Sequence, residues 1–150
     1  MKTLTLLALV FGLALAPASF AQNKPEDAIA IVDKGLAYMK KNGKDALIKA
    51  INAKDPEFVQ GELYLYMRAV DGTILAHPVN PRLIGKNMTV LPDADGKYFR
   101  KEIIDMAKKN GKGWVDYRYN NPVSKQVEKK STYFVLSGDV ILEAGIYKDK

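Results

Sequence analysis

Residues 61–77 read GELYLYMRAVDGTILAH. In an extended chain successive side chains point to opposite faces, so Leu63, Leu65, Met67 and Ala69 share one side and Glu62, Tyr64, Tyr66 and Arg68 the other. Asp71-Gly72 then supplies a tight turn, and Thr73 to His77 returns as the second strand of a hairpin. Large side chains occupy both faces of the first strand. That pattern suits a sheet with a helix on one side and a half-polar cavity on the other.

Downstream, Pro78 to Lys97 reads as a loop, punctuated by Pro78, Pro81, Pro92 and the turn pairs Asn80-Pro81 and Asp95-Gly96. Its length exceeds that of most connections in compact domains, and long ordered loops often bind ligands. Leu83, Ile84, Met88, Val90 and Leu91 argue that it is ordered. A helix is expected from Asp95 or Gly96, with Asp95 as its cap, through Phe99, Ile103, Ile104 and Ala107 to Lys109, where Asn110-Gly111 stops it. Trp114–Tyr119, Ser131–Leu136 and Val140–Tyr147 alternate as three more strands, separated by turns at Asn120–Gln126 and Ser137-Gly138-Asp139.

Upstream, Pro25 and the acids Glu26 and Asp27 open a helix, and Ala28, Ile31, Val32, Leu36 and Met39 recur at helical spacing. Asn42-Gly43 interrupts the pattern before Ala46, Leu47, Ala50 and Ile51 resume it, giving a long or broken helix to about Ala53. Helix, two strands, loop, helix and three strands describe an antiparallel sheet in an α+β domain.

The first residues, MKTLTLLALVFGLALAPASFA, carry a positive start at Lys2, an apolar run from Leu4 to Leu15, and small residues at Ser19 and Ala21. This is the pattern of a signal peptide, residues 1–21, cleaved after Ala21 to leave one domain, 22–150, in the periplasm. No other stretch is apolar enough to cross a bilayer. The absence of cysteine excludes thiol chemistry, thiolate metal sites and disulfide staples, so stability rests on a core. The net charge of +6 becomes +5 without Lys2, and the lysines are dispersed rather than stacked. A solvated basic surface that mildly steers anions fits better than nucleic-acid binding.

Enzyme chemistry finds little support. One histidine, His77, makes no histidine metal site, and Asp93-Ala94-Asp95-Gly96 lacks the later glutamate of a calcium loop in register. Ser124, Ser131 and Ser137 sit in no nucleophile elbow, and Gly111-Lys112-Gly113 follows a helix instead of opening one. What remains is an aromatic-walled pocket with a few polar tips: Tyr64, Tyr66 and Arg68 on one strand, His77 at the end of its partner, Tyr117 and Tyr119 on a later strand, and Lys130 near a strand start. Half-buried sheet packing with each hydroxyl reaching water is the competing account of the same tyrosines.

The ordered series Asp71-Gly72, His77-Pro78, Asn80-Pro81, Leu83, Gly85-Lys86-Asn87, Asp93, Asp95-Gly96, Gly111, Gly113, Tyr117, Lys130, Tyr133 and Gly145-Ile146-Tyr147 resembles the single Cache domains. These are extracytoplasmic sensor modules of bacterial chemoreceptors and sensor kinases. The resemblance implies an α+β, PAS-like Cache fold: a curved five-stranded antiparallel sheet, the long N-terminal helix on one face, and a ligand pocket on the other capped by the loop and short helix. It implies a non-enzymatic domain, without cofactor or metal, that binds a small ligand such as a short carboxylate. Tyr64, Tyr66, Arg68, His77, Pro78, Tyr117, Tyr119, Lys130 and Tyr133 are the expected ligand-binding residues; Gly72, Gly85, Asp95, Gly96, Gly113 and Gly145 are expected to be structural. The partners implied are an anionic small molecule, a membrane-bound receptor or kinase, and a second copy paired through the long helix. Because the chain ends soon after its last strand, it is expected to act as a free-standing binding protein. A docking module with an idle pocket, or a hydrolase using His77 as base, are the rival functions.

Overall fold

The computed structural model describes residues 22–148; the expected signal peptide and its cleavage point lie outside them. Two consecutive helices open the fold, α1 (Pro25–Asn42) and α2 (Lys44–Asn52). The Lys24 amide donates to the Asp27 carboxylate at 2.7 Å, which satisfies one of the free donors of the first turn. Gly43, at φ 90°, breaks the helix where the sequence pattern falters.

Six strands follow among the described residues: β1 (Val59–Gln60), β2 (Leu63–Ala69), β3 (Ile74–Ala76), β4 (Lys112–Asn120), β5 (Val127–Ser137) and β6 (Val140–Tyr147). All pair antiparallel, in the order β1-β2-β6-β5-β4, with β3 also on β2. β1 and β3 share the outer edge of β2: the Leu65 amide donates to Phe58 O and the Ala69 amide to Thr73 O. The sheet is thus five positions wide.

The expected curvature is corrected by this topology. The sheet is an open path whose end strands do not meet, and its three long ladders run in unbroken register. Strong bending requires bulges within the ladders, and the register shift in the described pairing falls at Met67/Arg68 on the short β2·β3 edge.

The remaining elements cover the second face. Pro81–Leu83 forms a single 3-10 turn, and α3 spans Phe99–Asn110. α3 begins later than the sequence suggests, and Asp95 does not cap it. The Asp93 carboxylate accepts the amides of Asp95 and Lys97 and holds that segment as a turn, leaving Tyr98 at the cap position. Asp95 instead pairs with Arg118 at 3.1 Å. The loop is ordered as expected: Gly85 donates to Ile74 O and Ile74 to Lys86 O, so the chain folds back along β3.

Apolar clusters lie on both sides of the sheet. Ala28, Ile31, Val32, Leu47 and Ile51 of the first helices pack on Leu63, Leu65, Met67, Leu142, Ala144 and Ile146. On the other side Phe99, Ile103, Ile104 and Ala107 of α3 pack on Val115, Tyr117, Phe134 and Ile141. Gly35 is what lets α1 approach closely, since a Cβ there would stand 2.5 Å from Leu65 Cδ2. Leu65 is fully buried beneath it. Leu65→Ala is therefore expected to lower unfolding free energy by about 2–5 kcal/mol, measured by urea denaturation.

Candidate functional site

The alternation read in β2 delivers Tyr64, Tyr66 and Arg68 to the α3 side of the sheet, all three buried. β6 lies beside it and presents Ile141, Glu143, Gly145 and Tyr147 to the same side, with Glu143 opposite Tyr66 in register. The Arg68 guanidinium and the Glu143 carboxylate form a two-pronged pair, through Nε to Oε1 and through Nη2 to Oε2 at 2.9 Å. Both side chains are essentially inaccessible, at 2% and 0% exposure. Burial works against the guanidinium's charge, but Glu143 more than offsets it, and the pKa of Arg68 stands above its ordinary value. Arg68 Nη1 is buried with no hydrogen-bond partner among the described residues.

Beside that pair lies a cavity bounded by Tyr64, Tyr66, Arg68, His77, Tyr117 and Tyr119, with Ile74, Leu83, Phe99 and Arg100 closing the outer side. Only about 10 Å³ is open to the centre of a water molecule, room for a single water. The Tyr66 and Tyr117 hydroxyls lie 3.3 Å apart, and Tyr117 continues to Thr132 Oγ1 at 2.8 Å. Phe99, at the start of α3, stacks on Tyr117 with centroids 3.7 Å apart and planes 4° from parallel. Burial pushes the phenols of Tyr64, Tyr66 and Tyr117 up, so they remain protonated donors.

His77 sits just past β3 and is buried. Its amide donates to Asn52 Oδ1 at 3.1 Å, tying the loop's first residue to the end of α2. Its Nδ1 accepts the Asn80 amide at 3.0 Å, which leaves the proton on Nε2 as a donor. Burial, with the nearby cations Lys130 and Arg68, pushes its pKa down to about 3. A neutral imidazole between Tyr64 and Tyr66, 5.5 and 5.4 Å from their ring centroids, is a fixed wall with one N–H to offer.

Lys130 is buried under the same wall, its Nζ donating to the Tyr64 hydroxyl at 2.9 Å. Lys130 is thus outside the cavity lining, and two further expected contacts lie elsewhere. Tyr133 faces α1 and packs against Trp114 at 5.2 Å, and Pro78 is buried behind His77 outside the cavity lining. Thr132, Phe99 and Arg100 belong to the site although the sequence reading does not single them out, and Glu143, which the sequence offers only as one of several acids able to face a cleft, belongs to it as the partner of Arg68. For Glu143 a signal exists, because an acid at an alternate position among Ile141, Leu142, Ala144 and Ile146 has to be buried with a partner.

The expected structural residues divide in the same way. Gly72 closes the hairpin at φ 100°, where a Cβ would stand 2.5 Å from Thr89 Cγ2. Gly145 leaves a gap in the middle of the site, and a Cβ there would strike Lys130 Cε and Thr132 Oγ1. Gly113 makes room for Phe134 and Met106, while Gly85 and Gly96 adopt positive φ in turns. Among the described residues no group of three or more histidines and carboxylates is arranged to hold a metal ion, and no helix is long and apolar enough to cross a membrane.

Residues 26–149 match the family described as Single Cache domain 2. The chain belongs to that family. Single Cache domains are extracytoplasmic, non-catalytic modules of sensing and ligand binding, and that is the role of this chain. Over 88 residues it is 26% identical to the methyl-accepting chemotaxis protein McpP of Pseudomonas putida, a match covering 57% of this chain and 16% of that receptor. In structure it resembles a methyl-accepting chemotaxis protein of Vibrio parahaemolyticus, with TM-score 0.72, 22% identity, and coverage of 83% of this chain and 88% of that one. A Cache chemosensory domain described for its carboxylic acid recognition superposes with TM-score 0.65 at 23% identity, covering 83% and 88% of the two chains. At these identities the structural likeness establishes the fold.

The state of His77 in this Cache domain generates a pH dependence. Its folded pKa lies below its ordinary value of 6.5, so the unfolded chain takes up the proton first. The stabilisation is complete above about pH 6.5 and is lost as pH falls towards 3, at up to about 1.4 kcal/mol per unit. Melting temperatures of the wild type should fall through this range more steeply than those of His77→Gln, which a thermal scan at successive pH values reads directly.

Proposed function

We propose that the cavity beside Arg68 binds a short carboxylate. The observation that carries this reading is the buried guanidinium: Glu143 fixes two of its nitrogens, and Nη1 of this cavity-lining side chain has no partner among the described residues. An orphaned charged donor in a water-poor pocket is what an oxyanion satisfies. The protonated phenols of Tyr66 and Tyr117 and the Nε2–H of His77 supply further donors around it. The limited volume favours ligands of a few heavy atoms, and even these require Leu83 or Arg100 to shift outwards. The carboxylic acid recognition described for a Cache domain of the same fold supports the choice of ligand class.

The wider role we propose is that of a periplasmic binding protein whose occupancy is read by a membrane-bound chemoreceptor or kinase. Chemoreceptors and kinases are where related domains occur. Export with cleavage after Ala21 and pairing of two copies through α1, whose outer side mixes Glu26, Asp33, Lys34 and Lys40, are parts of the same proposal. Protein recovered from the periplasm should begin at Gln22 and sediment as a dimer, checked by intact mass and analytical ultracentrifugation.

A ligand that binds only the folded state raises its melting temperature. Purified protein is expected to melt higher in the presence of one or more members of a panel of mono- and dicarboxylates. Arg68→Lys should weaken that response at least tenfold in concentration, because a lysine cannot keep the fork to Glu143 while offering a third donor. An unaltered response in Arg68→Lys, or no shift with any acid, rejects the assignment.

A further inference from the structure

Lys130 occupies an unusual position for a lysine. It stands on β5 opposite Tyr117 of β4 and Tyr147 of β6, and its stem lies across the gap left by Gly145. Nζ lies 4.2 Å from the ring centroid of Tyr64, 4.8 Å from that of Tyr147 and 5.4 Å from that of Tyr119. Its hydrogen bond is to a neutral phenol, that of Tyr64. Two carboxylates reach it through the field alone. Glu143 is already forked onto Arg68, and Glu62 accepts from the Asn121 side chain.

We propose that Lys130 is the specificity-determining residue of the cavity: an anion is accepted only when the lysine is protonated, so carboxylate binding draws a proton onto Lys130. This rests on the carboxylate reading given above. The rings that line the cavity, Tyr64, Tyr66 and Tyr119, are also the rings that enclose the ammonium, so the charge and the ligand are separated by one aromatic layer. Ring faces favour a cation, but they do not replace the water a buried ammonium has lost. Burial holds the lysine down to about 7 even with Glu143 and Glu62 acting the other way. An anion arriving in the cavity adds the missing negative charge in a medium where it is weakly screened, and the lysine then keeps its proton to higher pH.

The groups facing Lys130 leave it as the source of such a coupling. On β2, Arg68 is held charged by Glu143, and the Tyr64 and Tyr66 phenols are held neutral by burial. On β4 and β6, Tyr117, Tyr119 and Tyr147 are likewise pushed up. His77, beyond β3, is pushed down and neutral, and Arg100 of α3 lies on the far side of the cavity. Outside the wall, Lys130 borders a cleft with Asp93, Asp95, Asp116 and Lys148, where the Asp93 and Asp116 carboxyls are held low by hydrogen bonds and lysines against the effect of burial.

Isothermal titration with acetate, chosen because the cavity is small, tests this on the purified protein. Run at about pH 6 and about pH 8 in two buffers of different protonation enthalpy, it counts protons taken up on binding. Uptake near zero at the lower pH and approaching one at the higher is expected, with affinity falling about tenfold per pH unit above neutrality. Lys130→Met should bind acetate weakly and without that slope. Should that variant fail to fold, an NMR titration of the wild-type Lys130 side chain, expected to move upwards in pH when acetate is added, decides the same question. Tight binding with no proton uptake at the higher pH, or a lysine titration that acetate leaves in place, overturns the coupling while the carboxylate reading stands. Absence of binding by acetate and by propionate at the lower pH removes the carboxylate reading and the coupling with it.

Discussion

The pair between Arg68 and Glu143 is the constraint around which the domain is arranged. Burying two charges is costly, and a well-packed apolar pair of similar volume stabilises a core at least as well. The pair is therefore a poor explanation of stability and a good one of orientation. With two of its nitrogens committed to Glu143, the guanidinium has one rotamer, and Nη1 is directed by default. The arrangement also requires β2 and β6 to be neighbours in a fixed register, since a slip of one residue would send Arg68 and Glu143 to opposite faces. The unbroken β2·β6 ladder and the apolar alternation facing α1 enforce that register together.

The elements on the α3 side shield that pair from bulk water. The tyrosines are suited to the task because each buries a ring while carrying a hydroxyl that can be satisfied locally, as the Tyr66, Tyr117 and Thr132 chain is. α3 contributes Phe99 as a lid on Tyr117, and Arg100, whose Nη1 donates to Leu91 O and whose guanidinium lies 4.2 Å over the Phe99 ring, fastens the loop to the helix. Gly145 is the complement of these large side chains, since the gap it leaves is the space through which Lys130 reaches Tyr64.

Much of this is legible in GELYLYMRAVDGTILAH, because a strand buried on both faces still declares its alternation when one face is aliphatic and the other aromatic. The helices and the long strands are readable for similar reasons. Three features are not. The start of α3 is hidden because Asp93, rather than Asp95, organises the turn, and nothing local distinguishes an aspartate that accepts amides ahead of it from one that caps a helix. Tyr133 resembles a pocket residue by its chemistry, yet its parity on β5 is opposite to that of Lys130 and Thr132, so the strand's own period sends it to α1. The correction to the expected curvature depends on where register shifts fall across strands, which is pairing information that a single strand's sequence lacks.

The small size of the cavity follows from the same arrangement. Tyr66, His77 and Tyr117 are fixed by strands and hydrogen bonds on the sheet side, so space for a ligand must come from the outer wall. That wall is Leu83, Phe99 and Arg100, carried by the loop and the first turn of α3. The loop is held to β3 by the backbone bonds of Ile74 with Gly85 and Lys86, and elsewhere by discrete side-chain ties: Asn80 to His77, Asn87 to Asp71, and Asp93 to the amide of Arg118. Such ties are individually worth about 1 kcal/mol and are exposed or half-exposed, so they open locally at far lower cost than the ladders beneath them. His77 joins the two regimes, its ring packed in the rigid wall and its Nδ1 accepting from the loop.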